Sequence, residues 1–148
     1  MTKETLIQIF KHPAAITFAG STPLEITQTD SFLRSLSFAA LPEDYHFFLE
    51  LSNGLVCNGV ELMGSIPHQR TVKQYIFPDI IQINKPYAKY DYFKEKLIIG
   101  RLPEGLLVYQ NENRSYAVID RINLRSRYEA PSLKELLIYI FKLSPSDA

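Results

Sequence analysis

Three histidines, one cysteine and a few neighbouring carboxylates are the side chains of this 148-residue chain best suited to catalysis or metal binding. His12, His46 and His68 are the only histidines and Cys57 the only cysteine. No histidine lies four residues from another or from the cysteine, so a metal site would have to gather three or four ligands from separate elements. His12 falls at a helix end, His46 on a helix flank and His68 in a loop, all ordinary surface positions. Cys57 beside a histidine would make a nucleophile pair. It follows the C-terminus of an expected helix, however, whose negative pole raises a thiol pKa. A buried, idle cysteine is the simpler reading. Gly54, Gly59 and Gly64 do not form a phosphate loop, because no Gly-Lys-Ser/Thr accompanies them and they follow a helix. Glu43 and Asp44 are adjacent and so diverge around a helix; they serve its dipole, not acid–base work. The run from Lys85 to Lys94 interleaves bases with aromatics as single-strand nucleic-acid surfaces do. Asp91 and Glu95 dilute its charge and no RNP-type motif accompanies it, so tyrosines anchoring a long loop explain it as well. Nothing here calls for a catalytic residue, a metal or a cofactor.

The element that most of these residues flank is a helix expected over 42–53. Pro42 suits its first position, and Glu43 and Asp44 complement its positive end. Leu41, Tyr45, Phe48 and Leu49 fall on one apolar stripe. Gly54 supplies the left-handed residue that ends it. Asn53-Gly54 also reads as a hairpin turn, but the pattern before it is helical and not alternating. A short strand, Val60 to Met63, follows between Gly59 and Gly64.

The pattern Leu-Pro-x-Asp-Tyr-x-x-Phe-Leu-x-x-x-Asn-Gly, then Asn-Gly-x-x-Leu-x-Gly, over residues 41–65 resembles the signature of the SUKH superfamily. That group holds bacterial toxin-immunity proteins and cell-wall-assembly regulators, and the chain looks closest to its YrhA-type branch. The resemblance extends through Asp79-Ile80-Ile81, Leu97 to Gly100 and Tyr116 to Asp120 into the last helix, roughly residues 24 to 142. It implies helices around a central sheet and a non-catalytic role as an immunity protein that binds and neutralises a cognate toxin domain. The alternative it leaves open is a regulatory scaffold for an endogenous protein.

Elsewhere, Leu6, Ile7, Ile9 and Phe10 mark an amphipathic helix that stops before Pro13. Ala14 to Gly20 reads as a short strand. Thr22-Pro23-Leu24-Glu25 fits a capping box, whereas Leu24 to Thr27 alternates like a strand; an extended piece followed by a helix from about Thr29 is favoured. Pro67 to Phe93 is irregular, with a short helix or turn at Asp79 to Asn84. Leu97 to Leu102, Leu106 to Gln110 and Ser115 to Asp120 read as strands joined by tight turns, and Ser126 to Glu129 as an edge strand. Ser132 to Glu135 is a capping box opening a helix with Leu133, Leu136, Leu137 and Ile140 on its apolar face. The tail 144–148 has no reason to be ordered. The whole reads as one α+β domain over 1–148, a mostly antiparallel central sheet with helices packed around it.

No apolar run approaches the ~20 residues that span a bilayer. Met1-Thr2-Lys3-Glu4 carries an acid, unlike a signal peptide, and a single cysteine suits a reducing compartment, so a cytoplasmic protein is expected. Net charge is zero, which argues against a dedicated nucleic-acid binder, but residues 1–64 carry −4 and residues 65–148 carry +4. If the partner is a basic toxin, Glu50 on the helix flank and Glu61 on the short strand are the expected contacts, with plain solvated surface as the alternative for both. Tyr109 and Tyr116 are the expected aromatic anchors from the sheet.

Overall fold

The computed structural model describes residues 2–69 and 76–143, so the 144–148 tail lies outside the described residues. The sheet is a meander. Strands β1 (Ile16–Thr17), β2 (Leu55–Cys57), β3 (Val60–Leu62), β6 (Lys96–Leu102), β7 (Gly105–Gln110), β8 (Ser115–Asp120) and β9 (Ser126–Ala130) lie in that order, every pair antiparallel. Two further short strands, β4 (His68–Gln69) and β5 (Ile76–Phe77), pair with each other in the stretch read as irregular. Leu106, Leu107 and Val108 are all buried, and successive strand residues point to opposite faces, so the middle of the sheet is covered on both sides. Helix α4 (Ile80–Asn84) packs on β6, and α5 (Leu133–Ile140) packs on β8 and β9. Helix α1 (Thr2–Phe10) contacts α5 and α3 (Glu43–Leu51), which in turn contacts α2 (Pro23–Ser35).

The helix expected over 42–53 is α3, shorter at both ends. Pro42 is its N-cap, in extended geometry (φ −69, ψ 155), not its first helical residue. Ser52 turns extended, and Gly54 follows at φ +113, a conformation glycine adopts without strain. Leu41, Tyr45, Phe48 and Leu49 are all buried, as the stripe requires. The Tyr45 hydroxyl donates to the carbonyls of Met63 (2.6 Å) and Ile99 (3.0 Å), which ties α3 to β6 and to the end of β3. Asn53 accepts from the Ser65 amide at 2.5 Å and, with Ser21 and Ser65, forms a buried polar clasp.

Two expectations are corrected. The segment 22–28 is helix: α2 starts at Pro23 with a complete Thr22/Glu25 capping box, and Thr29 is a buried residue inside it, not its cap. Ile26, Thr29 and Leu33 are buried while Leu24 is 65 % exposed, so the four-residue alternation was too short to signal a strand. The second concerns β2, read only as chain after a helix. It pairs with β3 across Asn58-Gly59, both at positive φ (50° and 81°), the two-residue hairpin that Asn-Gly favours. The hairpin was one Asn-Gly further on than the one weighed. At α5, Ser132 Oγ accepts from the Glu135 amide (3.3 Å), the forward half of the expected box only.

Candidate partner-binding site

Helix α3 has two faces. Tyr45, Phe48 and Leu49 enter the core, while Glu43, His46, Phe47 and Glu50, at i, i+3, i+4 and i+7, line an open cavity of about 620 Å³. Across the cavity stand Tyr109 of β7 and Tyr116 of β8, direct register partners whose ring centroids lie 5.2 Å apart. Lys3 of α1, Arg114 of the β7–β8 turn and Pro131 ahead of α5 complete the wall.

Asp44 fixes this arrangement. One carboxylate oxygen accepts from the Tyr116 hydroxyl and the other from the Leu133 amide (3.0 Å), the first residue of α5. One side chain therefore joins α3, β8 and α5, a role that the dipole reading of Asp44 did not include. Burial, then the Asp44 charge, push the Tyr116 hydroxyl far above the usual tyrosine range. Burial also raises Tyr109, with Arg114 opposing and Asp44 adding to the rise. Tyr109 is only 7 % exposed, and its hydroxyl has no hydrogen-bond partner among the described residues. His46 Nε2 is buried and likewise unpartnered among them.

Of the four residues expected at a partner surface, the structure brings Glu50, Tyr109 and Tyr116 together and leaves Glu61 elsewhere. Glu61 pairs with Arg101, its register partner on β6, so its charge is already answered within the sheet. The tyrosines are buried walls of the cavity and not exposed anchors. Sequence reasoning missed Glu43, His46, Lys3 and Arg114. The polar stripe opposite the apolar one on α3 was the available signal for the first two; the others come from distant parts of the chain.

The remaining candidates resolve differently. Cys57 is buried in β2, and it is burial that raises its thiol pKa, not the end of a helix. Among the described residues no His, Cys, Asp or Glu side chains group as a metal site. In the aromatic run, Tyr87 and Phe93 rings pack 4.6 Å apart and Phe93 is buried, which docks the loop on the molecule. No helix among the described residues is long and apolar enough to cross a membrane. No protein-family model matches this chain, and no curated protein matches it.

Proposed function

We propose that this α+β domain is a non-catalytic protein-binding module, an immunity protein that binds and neutralises a cognate toxin domain in the cytoplasm. The observation that carries the reading is the convergence of Glu50, Tyr109 and Tyr116 on one open cavity, walled by two strands and a helix. A rigid concave surface with aromatic walls and carboxylates on one flank suits a protruding element of a protein with a basic face. The resemblance of residues 41–65 to the SUKH signature supports it too. Signature residues Tyr45, Asn53 and Gly54 hold the backbone around the sheet, which leaves recognition to the less constrained face of α3. The lone buried Cys57 suits a reducing compartment.

The test is affinity capture from native lysate read by mass spectrometry, followed by co-expression of the captured protein with and without this chain. The expected result is a captured protein whose toxicity this chain abolishes. Stable capture of a non-toxic endogenous protein instead overturns immunity in favour of a regulatory scaffold.

A further inference from the structure

The cavity wall holds more hydrogen-bonding capacity than the protein itself uses. Glu43 and Glu50 form no ion pair among the described residues, and neither do Lys3 and Arg114. Tyr109, only 7 % exposed as a residue, lines the cavity without a hydrogen bond to any described residue, and His46 Nε2 is buried beside the same stripe without a partner. A buried polar group left unpaired is costly, so such groups ordinarily meet water or a ligand. Three carboxylates against two cations leave the wall net negative. Asp44 is spent on Tyr116 and Leu133, but its charge still acts on the site: it is among the causes that raise both tyrosine pKa values.

From this geometry we infer that the cavity receives an arginine side chain of the protein partner, with Glu43 and Glu50 as its counter-charges and Tyr109 as both acceptor and ring wall. The inference rests on the protein-binding reading above and names the chemistry of that contact. A guanidinium matches the site in three respects. It carries only donors, the unused groups on the carboxylates are acceptors, and the Tyr109 hydroxyl accepts through its lone pairs. Its planar fork suits bidentate pairing with a carboxylate. It also stacks on aromatic faces, where a lysine ammonium is a more strongly hydrated point charge. The cavity volume of about 620 Å³ leaves room for the flanking backbone of the partner's segment. An acidic side chain would meet Glu43, Asp44 and Glu50 on entry.

The experiment titrates the whole protein with N-acetyl-arginine amide, and separately with the lysine, citrulline and glutamate analogues, followed by ¹⁵N and tyrosine-ring NMR. Saturable shifts at Glu50 and Tyr109 are expected with the arginine probe, weaker with lysine and absent with citrulline and glutamate. E43Q/E50Q should weaken the arginine probe about ten-fold or more, and Y109F several-fold, with both variants keeping the parent's spectrum elsewhere. No saturable shift with arginine, or tighter binding of the glutamate probe, overturns the inference. Capture of a partner by parent and E43Q/E50Q alike, uncompeted by the arginine probe, also overturns it while leaving protein binding standing. Arginine binding in a protein that captures no partner supports the site and removes the docking reading instead.

Discussion

Asp44 does at residue scale what no spacing pattern announces. Its position in the first turn of α3 was legible as a dipole partner, yet its two oxygens close contacts with residues 72 and 89 positions away in the chain. Charged hydrogen bonds in partly buried sites contribute about 1.5–3 kcal/mol each, so Asp44→Ala should destabilise by about 3 kcal/mol in denaturant unfolding, well beyond a surface change. The pH dependence follows from Tyr116. Folding raises its pKa above the ordinary 10.0, so the folded protein keeps a proton that the unfolded chain releases. Stability from this group is complete below pH 10 and is lost as pH rises beyond it, by about 1.4 kcal/mol per pH unit. Tyr116→Phe should lower stability at neutral pH and flatten the alkaline decline; an equally steep decline in the variant would assign it to other groups. The positive φ of Gly54, by contrast, was legible, although the helix ends earlier, at Leu51. Valine there must adopt φ +113 with its Cβ 3.0 Å from the Phe77 ring, so Gly54→Val should cost more than the ~1 kcal/mol of a propensity change.

At the scale of elements, periodicity served well wherever it ran long enough. The strands from Lys96 to Ala130 and helix α5 stand where the patterns put them, because the apolar runs of the central strands and the helical stripe of α5 extend over most of each segment. Leu137 is fully buried, and Leu137→Ala should cost on the order of 2–5 kcal/mol through lost transfer energy and the cavity left behind. An unchanged denaturation midpoint would contradict that burial. Ser132→Ala removes one cap bond and should cost about 1 kcal/mol. The sequence reads ambiguously over residues 22–28 because two signals of equal length, a capping box and an alternation, conflict there. The capping box specifies a start by pairing two orphan backbone donors, which a four-residue alternation does not outweigh. Strand β2 escaped notice for another reason: three residues are too few to show a period, and its placement comes from pairing with β3.

The cavity belongs to the whole molecule, and that is why the sequence showed only parts of it. Lys3, the α3 stripe, Tyr109, Arg114, Tyr116 and Pro131 meet through tertiary packing of α1 and α3 beside the sheet, and nothing in their spacing encodes that meeting. The charge asymmetry has a structural counterpart, since three of the seven acidic residues in 1–64 line this one cavity. Glu61 lies away from it and pairs with Arg101, which a count of charges does not show. The two glutamates therefore separate by experiment. Steering depends on uncompensated charge near the docking face, and fades with salt as the field is screened. Glu50→Lys should slow association with the captured partner by about ten-fold at low salt and flatten the salt dependence of the on-rate, with folding intact. Glu61→Lys sets a cation against Arg101, so its effect should fall on stability, with the on-rate and salt slope close to those of the parent. Stopped-flow association across a salt series reads both. If Glu61→Lys slows encounter as much as Glu50→Lys does, the partner meets the sheet at β3, and the cavity beside α3 is not the docking face.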